Sequence, residues 1–267
     1  VNEELNGYPM IFTHGDTVYI FYIRNDDDNW PYRSFGYVTS SDNGATWSEH
    51  KVAIDSAQVD PDKIDEVYAD HFEVEPGGDG QPDRVHFTWV MRGGPEGHNQ
   101  GSKNLYFAYF VPDSETWQAV DGTDLGEHID YNEMIGHCVV YDTGPVLDGR
   151  AIEGSASTYF DDGTPVVVFN LSGQGGQMAI YENGLWTTER VSNLGIRDIK
   201  RNVNGGLRML GENNQIIEVR NLADRDASWE FGYRAFIPYE NYANSTTSAS
   251  FIDNGLRELE VLLHQVD

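Results

Sequence analysis

Eight residues from Ser40 to Trp47, S-S-D-N-G-A-T-W, constrain this chain more than any other stretch, because they match S-x-D-x-G-x-T-W at every defined position. In such a turn the Asp side chain accepts from backbone N–H groups, here expected two residues on. Glycine supplies a positive φ, and the Trp ring is expected to bury itself at the rim of the sheet. The turn joins two adjacent antiparallel strands. Composition agrees with a strand-and-turn protein, since glycine (28) and tyrosine (15) are abundant and helix formers are sparse.

Short alternating strands with turn signals repeat along the chain. The first group is Tyr8–Thr13, Thr17–Arg24, Ser34–Ser40 and Trp47–Ile54. The second is Tyr68–Glu75, Arg84–Met91, Asn104–Phe110 and a strand after Trp117, with P-D-S-E-T-W standing where the first group has its eight-residue turn, but without the glycine. The third is Ala156–Phe160, Pro165–Leu171, Gln177–Tyr181 and Trp186–Val191; the fourth is Arg197–Val203, Leu207–Leu210, Gln215–Arg220 and Trp229–Ile237. A fifth begins at Ser245–Ile252 and ends with Leu256–Val266. Four-stranded units repeating every roughly 45–60 residues read as a β-propeller, where the eight-residue turn is the Asp-box between the outer strands of a blade. The expected fold is therefore all-β: one propeller domain over residues 1–267, with blades near 6–55, 66–121, 152–191, 195–238 and 244–267. Residues 122–150 are expected to form an insertion that fits no blade. About four and a half antiparallel blades leave a ring incomplete, so the chain is expected to be a piece of a larger propeller. A β-sandwich is the architectural alternative.

The formal net charge is −27, with 44 Asp and Glu against 17 Lys and Arg, of which 4 are Lys. That surface argues against nucleic acid, whose phosphates need a basic face. The acidic residues are scattered rather than gathered in a tail. Solubility is the plain consequence, and adaptation to high salt, where self-repulsion is screened, is the sharper one. No apolar run approaches the roughly 18 residues of a membrane span. We expect a monomer, secreted or at the cell surface, whose leader is not part of this chain. One cysteine, Cys138, excludes an internal disulfide.

Unusual side chains concentrate in the second group of strands. His71, His86, His98 and Arg92 fall within 28 residues, out of 8 His in all. Two imidazoles near a guanidinium suit acid–base chemistry beside a substrate carboxylate. His86, in mid-strand, reads as a satisfied core histidine. His71, on the first strand of its group, and His98 with Asn99, in a glycine-rich loop, read as functional.

The residues just named resemble a known family. Tyr8–Pro9, the Asp-box, D-H-F at Asp70–Phe72, R-V-H-F-T-W-V-M-R at Arg84–Arg92, G-H-N at Gly97–Asn99 and N-L-Y-F-A-Y-F at Asn104–Phe110 look like BNR-repeat propellers. That family includes seven-bladed ulvan lyases and related lyases of rhamnose–glucuronate polymers. The resemblance is clear over about residues 6–140 and beyond that extends only to propeller blades. It implies β-elimination next to a uronic acid in an anionic polysaccharide, with two histidines, a tyrosine and an arginine at the site. His71 and His98 fall where the histidines are expected. Tyr181 and Arg197, 16 apart, match the spacing of one branch of the family. Tyr141 is the competing tyrosine; Arg92 and Arg201 are the competing arginines. Asn99, Arg92, Tyr141 and Trp30 are candidate substrate contacts, and Trp30, Trp89 and Tyr8 candidate sugar platforms, although Trp89 in mid-strand reads as core.

In the insertion, His128, His137 and Cys138 are candidate ligands of a structural metal, zinc rather than calcium, which some members of the resembled family hold. Adjacent His and Cys on a strand point to opposite faces, so both ligate only if the chain bends there. Asp26, Asp27 and Asp28 read as a solvated acidic turn rather than a calcium site. Asn244 opens a formal N-S-T glycosylation sequon. Elimination needs no organic cofactor. Two other classes stay open: a propeller hydrolase, sialidase-like or built on three carboxylates, and a non-catalytic carbohydrate-binding propeller. Against a sialidase, R-A-F-I-P at Arg234–Pro238 is not the R-I-P signature.

Overall fold

The computed structural model describes residues 7–25, 33–55, 57–60, 63–78, 80–93, 102–144, 152–193, 195–201, 206–211, 216–219, 246–253 and 259–266. The fold is of the β-propeller type, built from successive antiparallel sheets, and falls into two compact units, residues 1–152 and 153–267. Among the described residues no helix is long and apolar enough to cross a membrane.

The first unit holds two sheets. Strands β1 (Met10–His14), β2 (Thr17–Asn25), β3 (Arg33–Ser40) and β4 (Lys51–Ile54) form a four-stranded meander. Strands β5 (Ala57–Asp60), β6 (Lys63–Glu75), β7 (Arg84–Gly93), β8 (Lys103–Val111), β9 (Thr116–Gln118) and β10 (Asp124–Gly126) follow in order in the second sheet. A seventh strand, β11 (Val139–Tyr141), pairs with β8 through Tyr106 and Leu105, while β9 pairs with β8 at Tyr109–Val111. The outer edge of β8 is thus shared by two short strands.

Period-two alternation decides what lies between the sheets. In β1, Met10 and Phe12 are buried while Ile11 and Thr13 are exposed. Rings from the first sheet (Phe12, Tyr19, Phe21, Phe35, Tyr37) meet rings from the second (Phe72, Phe87, Phe110, Trp117). Phe21 sits at the centre, 4.8 Å from Phe87 in a tilted pair and 5.2 Å from Phe110 edge-on. Such geometries add about 0.5–1.5 kcal/mol per pair beyond burial.

The Asp-box turn follows β3. Asp42 accepts from Thr46 rather than from a residue two on: Thr46 N–H donates to Oδ1 at 2.8 Å and Thr46 Oγ1 to Oδ2 at 2.6 Å. The four-residue reach closes a wider turn, and Ser40 Oγ fills its mouth by accepting from Gly44 N–H. Ser40 Oγ–H also donates to Asp42 Oδ1 at 2.8 Å, and the hydrogen bonds from Thr46 and Ser40 bring the Asp42 pKa down to about 2. Trp47 is half-buried rather than enclosed, its Nε1–H donating to Gly44 O. In P-D-S-E-T-W Ser114 stands at the glycine position and the positive φ falls one residue later, at Glu115 (+52°), and here Trp117 is fully buried.

The described part of the expected insertion, residues 122–144, is built into the sheets. β10 and β11 extend the second sheet, and Ile129 straps it to the first through Ile129 N–H to Ala53 O and Asp55 N–H to Ile129 O. Between them lies α1 (Tyr131–His137), opened by a capping box in which Glu133 N–H donates to Asp130 and Asp130 N–H to Glu133.

In the second unit, β12 (Ile152–Tyr159), β13 (Pro165–Leu171), β14 (Gly175–Glu182) and β15 (Leu185–Arg190) form a four-stranded meander. β16 (Ile196–Arg201), β17 (Leu207–Gly211) and β18 (Ile216–Val219) form the next sheet, and β19 (Thr246–Asp253) pairs with β20 (Leu259–Val266). The core here is mostly aliphatic, with Val166, Val168, Met178, Ile180, Ile199 and Met209 among its members. The β14–β15 turn is Asn183-Gly184, both at positive φ, as a two-residue hairpin requires. The expected strand Trp229–Ile237 lies outside the described residues.

Replacing Phe21 by Ala should cost about 3–5 kcal/mol of unfolding free energy. The exposed Ile11→Ala should cost well under about 1 kcal/mol. Urea titration of both variants checks the pair.

Candidate active site

The candidate site is built on the second sheet, whose two faces differ in chemistry. One carries Phe72, Phe87, Trp89 and Met91 toward the core. The other gathers polar groups, and a single bulge sorts them. In the β6–β7 register Ala69 opposes Trp89 and His71 opposes Thr88, so Asp70 is the extra residue. Strict alternation would place His71 with the aromatics and Phe72 with the polar residues. The bulge exchanges them: Phe72 meets Phe12 and Phe87, and His71 joins the face that holds Glu66, Tyr68, Thr88, Val90 and Arg92.

At one end of that face Tyr68 is the centre. It accepts from Arg33 Nη1 at 2.8 Å and donates to Glu66 Oε2 at 3.1 Å. Arg92 lies over its ring at 4.5 Å, and Tyr8 meets it edge-on at 5.8 Å. Arg92 Nε donates to Ser102 Oγ at 2.9 Å, which fixes the plane of the guanidinium. Burial, with the charge of Glu66, pushes the Tyr68 pKa up to about 12. Tyr68 is therefore a neutral post between two guanidiniums, not a proton carrier near neutral pH. Its neighbours, Arg33 and Arg92 with Glu66, make a local excess of positive charge in a chain of net −27.

At the other end His86 is fully buried, Nε2 donating to Glu75 Oε2 at 2.9 Å and the ring meeting Phe107 and Tyr109 edge-on. Arg84 pairs with the same carboxylate. Burial holds the His86 pKa below the usual imidazole value, against the pull of Glu75. Burial works to raise Glu75, but hydrogen bonds from His86 and Arg84 prevail and hold it below the carboxylate range. His86 is a structural histidine, as its mid-strand position suggests, and Trp89 is core, fully buried with Nε1–H on Met134 Sδ.

The other sequence candidates divide. His98, Asn99 and Trp30 lie outside the described residues, as do Asp26, Asp27, Asp28 and Asn244. The connection that carries His98 and Asn99 runs between Gly93 of β7 and Lys103 of β8. Tyr141 pairs with Leu105 near the start of β8, at this same end of the second sheet. In the second unit Tyr181 and Arg197 are not brought together. Tyr181 pairs with Trp186 beside the Asn183-Gly184 turn, whereas Ile196, next to Arg197, is bonded to Asn170, which pairs with Gly176. Those points are five residues apart on β14, roughly 16 Å along the strand. The spacing of 16 in sequence spans one strand of a meander and ends at its opposite pole. Arg201, the other alternative, pairs with Asp161 at 2.6 Å.

The trio His128, His137 and Cys138 is not gathered into one cluster. Among the described residues no group of three His, Cys, Asp or Glu side chains is gathered closely enough to hold an ion. His137 ends α1 exposed, while Cys138 caps it buried, its thiol pKa pushed up by burial. The D-x-x-E capping box at Asp130–Glu133 was the sequence signal for a helix in place of a ligand-bearing strand. His128 instead lines a cleft of about 500 Å³ with Tyr37, Lys51, Asp55, Glu115 and Glu127. That cleft holds none of His71, Arg92 and Tyr141, and its Lys51 is paired with Glu115, so the polar face is the better site. Sequence reasoning missed Tyr68, Arg33 and Ser102, although Tyr68 stands two residues before D-H-F.

Residues 7–194 match the sequence pattern described as BNR repeat-containing family member. No curated protein matches the chain. Among solved structures, an ulvan lyase of family PL25, solved free and bound to -[GlcA(1-4)Rha3S]-, is similar at 15% identity. In the bound form the TM-score is 0.62, covering 80% of this chain and 52% of that one. This chain thus spans about half the length of that lyase. An α-L-arabinanase from Penicillium chrysogenum is similar at 10% identity and TM-score 0.49, over 82% of this chain and 62% of that one. A Trypanosoma rangeli sialidase is similar at 13% identity and TM-score 0.48, over 79% and 36%.

A neutral buried His86 sets a sign for acid stability. The folded pKa lies below the unfolded value of about 6.5, so this contribution is whole above about pH 6.5 and is lost as pH falls below it. His50, also held low by burial, acts in the same sense. Unfolding free energy should decline as pH falls below about 6.5, and His86→Gln should flatten part of that decline in urea titrations.

Proposed function

Because the chain belongs to the BNR repeat-containing family, we propose that it acts on anionic polysaccharide, as a lyase that breaks the chain next to a uronic acid by β-elimination. The observation that carries the reading is the polar face of the second sheet. There one bulge puts His71 on the same face as the two guanidiniums around Tyr68, in a chain that is otherwise strongly acidic. The fold shared with an ulvan lyase supports the same reading, since that protein was solved with a uronate–sulfated rhamnose oligomer bound.

A base removes the proton at C5 of the uronate, the electron pair forms the C4=C5 bond, and the bond from C4 to the bridging oxygen breaks. An acid protonates the departing oxygen. The C5 proton is weakly acidic until the carboxylate charge is neutralised, so a cation must meet that carboxylate. Arg92, on the same face of the second sheet as His71, is the arginine that suits this role; Arg197, in the second unit, is the other candidate. His71 and His98 hold the carboxylate and move the proton. Tyr141, rather than Tyr181, is the tyrosine of the site, because it stands at the end of the second sheet from which the His98 connection departs. Asn99 and Trp30 complete the contacts to sugar.

The product of elimination is a C=C bond conjugated to a carboxylate, which absorbs in the ultraviolet; hydrolysis makes no such chromophore. Wild-type protein should generate that absorbance from ulvan or another uronate polymer, assayed at low and molar salt. His71→Ala should lower turnover on the order of 10²–10⁴-fold with binding kept within a few-fold. Absence of the chromophore on every uronate polymer, from folded protein, would sink the lyase reading and leave a hydrolase or a binding propeller. Tyr141→Phe should lower turnover while Tyr181→Phe leaves it unchanged; the reverse result would restore Tyr181.

A further inference from the structure

The chain enters β1 in an unusual backbone state. Tyr8 has φ +55°, in the left-handed region, although it carries a bulky side chain and stands directly before Pro9. A residue before proline ordinarily takes an extended conformation at negative φ, and the left-handed one is costly for a residue with a large side chain. The segment is anchored to β2 by Ile23 N–H, which donates to Gly7 O at 3.1 Å. Burial does not account for the strain. Met10 and Phe12, which follow, are buried, but Tyr8 is 57% exposed.

What the ring touches is the centre of the polar face. Tyr8 meets Tyr68 edge-on at 5.8 Å, with the two planes at 71°. Such a contact occupies at most one face of the Tyr8 ring, and the exposed remainder is flat and apolar. Arg92 lies over the ring of Tyr68 at 4.5 Å. Tyr68 is itself held at its hydroxyl by Arg33 and Glu66, and Arg92 by Ser102. An open aromatic ring and a guanidinium thus lean on one fixed support, within the reach of neighbouring sugars on a single chain.

That combination matches the chemistry of a uronate polymer. A pyranose carries C–H groups on its faces and hydroxyls around its rim, so an aromatic ring can cover the first while the second stay in water. The carboxylate supplies the charge that a guanidinium recognises. We propose that Tyr8 is a sugar-binding residue: its exposed ring is the platform for a sugar next to the uronate that Arg92 meets, and the left-handed backbone at Tyr8 is what presents it. This role rests on the polar face being a site for anionic polysaccharide, as proposed above, and does not need the elimination step.

The test is binding to ulvan, read as retardation in native gels cast with and without the polymer, using the full chain in a His71→Ala background so that the polymer stays intact. Tyr8→Gly, which suits the left-handed backbone, and Tyr8→Leu, which keeps an apolar contact with Tyr68, should each weaken binding on the order of 10-fold. Tyr8→Trp should bind within a few-fold of its parent. The loss in Tyr8→Gly should be as large at molar salt as at low salt, because stacking is not screened, whereas the loss in Arg92→Gln should shrink as salt rises. Thermal melting establishes that each variant is folded at the assay temperature; if Tyr8→Gly is not, Tyr8→Leu decides alone. Unchanged binding in the folded variants would mean that Tyr8 only packs on Tyr68. A loss that disappears at molar salt would mean that Tyr8 acts through Arg92 rather than by meeting a sugar. Either result overturns the proposal. A wild type that binds ulvan without forming the ultraviolet chromophore overturns the lyase reading and leaves the platform standing, whereas a parent protein retarded by neither ulvan nor polyglucuronate overturns both.

Discussion

A strand offers two faces and nothing else, so a sheet that must pack on one side and carry chemistry on the other depends on keeping count. In the second sheet that count is kept from Arg84 to Arg92 on β7 and deliberately broken once on β6, at Asp70. The aromatic layer between the first two sheets requires Phe72 on its side, where it meets Phe12 and Phe87. Given that requirement, the extra residue fixes the other face as well. Packing and chemistry are settled by one insertion, and neither could shift without the other.

The polar face shows how cations are kept useful in a chain with so many carboxylates. Arg92 is stacked on Tyr68 and tethered by Ser102 rather than paired to a carboxylate in a bidentate fork. Arg33 donates to Tyr68 and is also ion-paired with the buried Glu66, so Arg92 is the cation of this face left without a carboxylate partner among those described. Arg84, at the other end of the same face, is paired directly with Glu75. Stacking on a neutral ring fixes a guanidinium without neutralising it, and the high pKa of Tyr68 keeps that ring neutral.

Of the described strands, all but β5, β10 and β11 were legible because alternation, turn glycines and Asn-Gly signals act over a few residues. Tyr19, Phe21 and Ile23 declare a buried face, and Asn183-Gly184 declares a hairpin. The same local information identified His86 and Trp89 as core. The bulges were not legible, since D-H-F and I-R-D carry no glycine or turn signal; the extra residue is imposed by pairing with β7 and β17. Spacing misled in two places. The separation of Tyr181 from Arg197 measures distance along the chain, which in a meander says little about which pole a residue reaches. The closeness of His128, His137 and Cys138 ignored a helix start written in Asp130 and Glu133. The Asp-box placed its turn correctly, yet the partner of Asp42 lay two residues beyond the expected one, because Ser40 takes the nearer donor at Gly44.

The division of β8's outer edge between β9 and β11 has a consequence beyond the site. A long unpaired edge is a template on which another chain can build, and sheets that expose one tend toward fibrous association. Here each half of the edge is occupied by a strand of three residues, joined through a helix whose Met134 is locked beneath Trp89. Neither piece is long enough to recruit a foreign strand, and their differing registers on β8 prevent them from acting as one. The segment between Asp124 and Tyr141 therefore closes the half of that edge that β9 leaves open, and the strand that closes it is held in place by α1.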